Sequence, residues 1–204
     1  MRLWTIQPAE VYDFIQRYGS YRCLPEKCPN MEDFLNPYQW LAQKMAEKVG
    51  PPPQGIKYPV WAWHTYAAKR MKPDLRRSGH AEPGLQCVCM GIEVPDGQVV
   101  LSDFSAWHFV LNNAYLNPAC FDTETSDRDD AWLVTLPEEE RAKAIWESRD
   151  AVFLIQYKND AWLGWGEYIQ ATFWELKAEQ IRKVQVFKAR QGKWERRLKR
   201  WNTS

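Results

Sequence analysis

The sequence predicts an α+β domain, with a mixed, mostly antiparallel sheet and flanking helices. Three observations carry that prediction. Apolar residues recur at helical spacing in some segments and alternate along others. The two kinds follow no regular βαβ order, and strands do not fill the chain. Hydrophobic residues make up 45% of the 204 and charged residues 26%, an ordinary globular balance that excludes disordered, collagenous and fibrous chains. The length suits one domain, assigned to residues 1–187, followed by a basic amphipathic tail at 188–204.

Residues 2–7 read as a strand that Pro8 ends. A helix over 9–18 follows, with Val11, Phe14, Ile15 and Tyr18 on one stripe and Gly19 as its stop. Residues 22–30 form a loop with Pro25 and Pro29, and 31–49 a longer helix interrupted by Pro37. Gly50-Pro51-Pro52-Pro53-Gln54-Gly55 is a rigid connector. Residues 58–66 are an aromatic-rich strand with Trp61 and Trp63 on one face. A polar loop spans 69–84. Pro95-Asp96-Gly97 joins strands at 85–94 and 98–102 as a hairpin. Ser102-Asp103 opens a helix over 104–113, with Asp103 its cap or a ligand contact. Residues 116–130 read as an acidic loop. Thr135-Leu136-Pro137-Glu138 starts a helix to about Tyr157 with Thr135 as its cap. Strands at 169–174 and 184–187 close the domain.

Charge is unevenly placed. Seven of the 27 basic residues, but one of the 26 acidic residues, fall in 188–204. Trp194, Leu198 and Trp201 lie at i, i+4 and i+7 among them, a basic amphipathic pattern. Between Lys188 and Trp201 this pattern suits nucleic-acid phosphates with base stacking, an anionic surface or an acidic partner; a solvated terminus is the plain alternative. Five cysteines and no long apolar N-terminal stretch suggest free thiols in a reducing cytoplasm. Cys23-x4-Cys28 and Cys87-x-Cys89 fall outside common zinc spacings and read as buried small hydrophobes. Only His64, His80 and His108 are available as imidazole ligands, so no metal is expected.

Four constellations bear chemistry. In Lys72-Pro73-Asp74-Leu75-Arg76-Arg77, Lys72, Asp74 and Arg76 can hold a phosphate or carboxylate, or simply tie a solvated loop. His108 is a general acid/base, a ligand or a core histidine, with Asn112 one turn on to orient it or read an amide. Gln170, Thr172 and Trp174 share one strand face that can line a pocket, and Glu175 takes the other face. The basic tail is the fourth.

Tyr58-Pro59-Val60-Trp61-Ala62-Trp63, Lys72-Pro73-Asp74-Leu75-Arg76 and Leu101-Ser102-Asp103-Phe104 with Trp107-His108 and Leu111-Asn112 resemble a small bacterial family catalogued as a domain of unknown function. Trp4-Thr5-Ile6-Gln7 and Gln170-Ala171-Thr172-Phe173-Trp174-Glu175 share the likeness, which covers about residues 1–190. The opening strand, helix and Tyr18-Gly19-Ser20-Tyr21-Arg22 are also distantly similar to ADP-ribosyltransferase folds. That likeness implies an NAD cofactor. It makes Thr5, Arg22, Trp61, Trp63 and Gln170 pocket candidates, Arg76 a phosphate contact and Glu175 the catalytic carboxylate. The sequence departs from that pattern where its first-strand His falls near Thr5 and its Glu falls at Thr172. Three classes therefore stand: an NAD-type nucleotide-binding domain with ADP-ribosyl transfer, a non-catalytic nucleic-acid-binding module, and a protein-interaction domain.

Overall fold

The computed structural model describes residues 1–23, 34–119, 123–155 and 165–192. Strands β1 (Arg2–Pro8), β3 (Val60–Thr65), β4 (Gln86–Glu93), β5 (Val100–Asp103), β6 (Ile169–Phe173) and β8 (Ile181–Lys188) build one six-stranded sheet in the order β5-β6-β3-β1-β4-β8. Every pairing in it is antiparallel, so the sheet is less mixed than the sequence suggested. Short strands β2 (Ser20–Tyr21) and β7 (Leu176–Lys177) form a separate pair. The helices are α1 (Ala9–Tyr18), α2 (Leu35–Val49), α3 (Phe104–Leu111), α4 (Thr123–Thr135) and α5 (Glu138–Ser148).

Alternation along β1 assigns the two faces. Leu3 packs with Val88, Met90 and Ile92 of β4, Ala171 and Phe173 of β6, and Val11 and Ile15 of α1. That face is closed by α1, whose bounds match the sequence reading because its apolar stripe is strongly one-sided. Gly19 ends α1 at φ +84°, a left-handed conformation that disfavours side chains with a Cβ, and its N–H closes onto the Ile15 carbonyl.

The other face divides in two. Toward β5 and β6 it is covered by α2 and α3, where Trp40, Leu41 and Met45 meet Val100, Trp107, Val110, Trp165 and Trp174. Rings interlock here, with Trp61 and Trp107 centroids 5.2 Å apart and Tyr38 edge-on to both. Toward β1, β4 and β8 the same face carries a smaller cluster of Trp4, Leu75 and Cys89, with Ile6 and Phe187 beside it. Here the cover is the 67–84 loop rather than a helix.

Several expectations change. Pro95-Asp96-Gly97 turns the chain through a short 3-10 helix, but β4 and β5 do not pair. Three strands separate them, and Asp96 instead forms an ion pair with the Met1 amine at 2.7 Å. Much of the segment read as an acidic loop is helix α4. Thr135 ends α4, its hydroxyl donating to the Trp132 carbonyl, and caps nothing; Pro137 stands at the α5 N-cap. The helix then stops at Ser148 and tightens into a 3-10 turn at Arg149–Phe153. The start of the 31–49 helix and residues 193–204 of the tail lie outside the described residues, while the first tail residue, Lys188, ends β8.

Asp103 does cap α3. Its Oδ1 accepts from the Ser105 and Ala106 N–H groups at 2.8 and 3.0 Å, and its Oδ2 accepts from the Gly166 N–H. Replacing it with Ala removes the cap and leaves a buried N–H unmatched. Asp103→Ala should lower unfolding stability by about 2 kcal/mol. Asp103→Asn, which keeps one accepting oxygen, should lose less. The shift in urea midpoint of the two variants measures this.

Candidate functional site

The residues singled out in the sequence fall into four places. Thr5, Trp61, Trp63, Gln170 and Thr172 lie on or between the central strands. Thr5 and Thr172 are fully buried and present no surface to a ligand. Thr5 Oγ1 donates to the Trp61 carbonyl at 2.8 Å, and Thr172 Oγ1 to the Val100 carbonyl at 3.3 Å. Trp61 pairs with Thr172, and Trp63 with Gln170, across the β3–β6 ladder. The polar row of Gln170 and Thr172 ending in Trp174 therefore underlies the α2 and α3 layer rather than an open cleft. Ser102 Oγ, Gln170 Oε1 and Trp61 Nε1 are buried there without hydrogen-bond partners among the described residues.

His108 and Asn112 occupy a second place. His108 is on the exposed side of α3, which corrects the core-histidine reading. Its Nδ1 lies 2.8 Å from the Phe104 carbonyl, and the Asn112 amide donates to the His108 carbonyl, both one helical turn apart. Asn112 thus secures the end of α3 and does not orient the imidazole.

Glu175 defines the third place. Since β6 ends at Phe173, strand alternation no longer governs Glu175. Its Oε1 accepts from Ser20 Oγ at 2.7 Å and from Arg22 Nε at 3.1 Å. Arg22 also donates to the Gln54 carbonyl. Burial raises the pKa of Glu175, but the hydrogen bonds from Ser20 and Arg22 outweigh it and hold the carboxyl below its ordinary value. The result is an anionic carboxylate at neutral pH, beside a guanidinium that remains substantially exposed. The sequence named Glu175 and Arg22 separately. Ser20 was missed as their partner, and only its place between Gly19 and Arg22 hinted at it.

The fourth place is the 67–84 loop against β8. Arg76 grips Asp74 through Nε and Nη2 at 2.8 and 2.9 Å, which holds the Asp74 carboxyl well below its usual range. Lys72 donates to Gln185 of β8. A groove of about 410 Å³ runs between loop and strand, lined by Leu75, Arg76, Gln185, Phe187, Lys188, Ala189 and Arg190. Cations also gather beside it. The guanidinium carbons of Arg2 and Arg70 lie 5.5 and 5.9 Å from the Trp4 ring centroid. Arg70 also donates to the Arg2 and His64 carbonyls. Among the described residues neither arginine has an ion-pair partner.

Cys87 and Cys89 are buried free thiols, as the sequence suggested, but Cys23 is only half-buried and Cys28 lies outside the described residues; burial pushes Cys89 up to about 11. A different kind of surface lies on α4 and α5, where Trp132, Val134 and Trp146 stay exposed. No described helix is long and apolar enough to cross a membrane.

A family model for a domain of unknown function, DUF3841, matches residues 2–182, and the chain belongs to that family. No curated protein and no solved structure matches it.

His64 reports the local field. Partial burial, then the Arg70 charge, lowers its pKa from 6.5 to about 4. The native state thus resists a proton that the unfolded chain accepts. Stability from neutral His64 is whole above about pH 6.5 and is lost as pH falls from there toward 4. Calorimetric melting across that window should show a steeper fall for the wild type than for His64→Gln.

Proposed function

We propose that the protein binds an NAD-type dinucleotide beside Glu175, and that ADP-ribosyl transfer is the chemistry this carboxylate serves. The observation behind the reading is that Glu175 and Arg22, 153 residues apart in sequence, meet with Ser20 in one polar cluster. The distant likeness to ADP-ribosyltransferase folds had assigned these two residues a carboxylate role and a pocket role. Their contact puts a carboxylate and a guanidinium side by side, which supports the reading.

The chemistry needs a fixed negative charge. As the ribose C1′–N bond breaks, its electron pair leaves with nicotinamide and the ribose becomes cationic. A carboxylate held ionised by Ser20 and Arg22 stabilises the positive charge as it shifts from the nicotinamide ring onto the ribose. The acceptor's nucleophile then bonds C1′ and gives up its proton. Arg22 keeps exposed donors that suit the diphosphate of such a ligand. Under this reading Thr5 and Thr172 support the strands and touch no ligand, and His108 takes no part in the cluster.

Calorimetric titration with NAD, and with ADP-ribose for comparison, tests the binding. Saturable heat with either ligand is expected. Glu175→Gln retains an acceptor for Ser20, so it should fold and bind while losing about 100-fold or more in NAD turnover. Absence of heat with both ligands, or full turnover in Glu175→Gln, would overturn the proposal.

A further inference from the structure

We infer that the groove between the 67–84 loop and β8 binds the phosphate backbone of a nucleic acid. Two basic features that lie far apart in the sequence meet there. Arg76 comes from the Lys72-Pro73-Asp74-Leu75-Arg76-Arg77 loop, while Lys188 and Arg190 begin the basic C-terminal stretch. A backbone bridge between Ser78 and Arg190, and reciprocal hydrogen bonds joining Gly84 and Leu85 to Ala189, fasten the two segments together.

The charge on this groove is left unbalanced. Among the described residues no carboxylate lines it. Asp74, beside it, engages Nε and Nη2 of Arg76 and fixes the guanidinium plane, leaving Nη1 free among the described residues. The side chains of Lys183, Lys188 and Arg190 have no ion pair or hydrogen bond among the described residues. Holding like charges together without counterions is unfavourable, and an anionic ligand relieves it.

The length of the basic surface favours a polyanion over a single phosphate. Lys183 shares a face of β8 with Gln185 and Phe187, and Lys72 reaches that face at Gln185. From Lys183 to Phe187 at the groove this face runs about 14 Å at strand rise, more than one phosphate group spans. The recess between loop and strand admits a narrow chain of phosphates, whereas a flat lipid surface meets only its rim. Leu75 and Phe187 add an apolar wall against which a sugar or base can lie. The groove stands apart from the Glu175 cluster, so this inference holds or fails independently of NAD binding.

Fluorescence anisotropy of the full chain with a labelled 20-nucleotide single strand, at salt concentrations from 50 to 200 mM, tests it. Log affinity should fall linearly with log salt. The triple variant Lys183→Gln, Lys188→Gln, Arg190→Gln should weaken binding about tenfold or more at low salt. It should also flatten the salt slope by about 2, at roughly 0.7 for each single-strand phosphate no longer neutralised. A control triple, Arg17→Gln, Lys57→Gln, Lys143→Gln, removes equal charge elsewhere and should bind as the wild type does. Matching melting temperatures establish that the variants are folded. The inference is overturned if no binding occurs at 50 mM salt or if the groove triple binds with unchanged affinity and slope. It is also overturned if both triples weaken equally, or if the protein binds phosphatidylserine vesicles but no oligonucleotide.

Discussion

One buried carboxylate, Asp103, connects three parts of the chain that the rest of the structure relies on. It ends the edge strand β5, caps α3 with one oxygen and holds the Gly166 N–H with the other. The first two N–H groups it binds would otherwise be orphaned at a helix start. By fixing where α3 begins, Asp103 sets Trp107 over the sheet, where it meets Trp61, Tyr38 and Trp40. By holding Gly166 it brings the chain back into β6, the strand that β3 and β5 both require. The helical cover of one half of the sheet thus depends on an interaction at its edge.

The two halves of that sheet face are built for different ends. Under α2 and α3, aromatic rings interlock with aliphatic side chains such as Leu41, Met45 and Val110. Under the 67–84 loop, Trp4 instead supports the long cationic side chains of Arg2 and Arg70. Guanidinium and ammonium groups keep their aliphatic stems on apolar surface and their charge in water. A helix packed here would have buried those charges, whereas a loop leaves them at the surface. Cover by a loop is thus what allows the basic surface to exist.

Much of this was legible in the sequence where one local interaction decides the structure. The α1 stripe, Gly19 and the Asp103 cap are each settled within a turn of helix. Pro95-Asp96-Gly97 was legible as a turn but not as a pairing. A turn fixes chain direction over a few residues, and the partner of β5 is set by the helical layer and β6. The acidic residues of α4 concealed a helix because charge surrounds it; Leu133 is its buried anchor, and Asp129 accepts from Asn117. Strand alternation cannot place Glu175, which lies two residues past the end of β6. The meeting of Arg76 with Lys188 and Arg190 had no sequence signal at all, since two charged segments carry no record of their distance in space.

The strand order also governs how the chain comes to be folded. β1, β3 and β4 precede residue 94 and can associate early. β5 cannot, because its partner in the sheet is β6, and the Thr172–Val100 bond spans 72 residues. On a ribosome, the hydrogen-bonding edge of β3 would wait unpaired until that late strand left the exit tunnel. Such non-local closure slows folding and prolongs exposure of sticky intermediates. The domain's period of greatest vulnerability therefore falls during its own synthesis, before β6 has emerged.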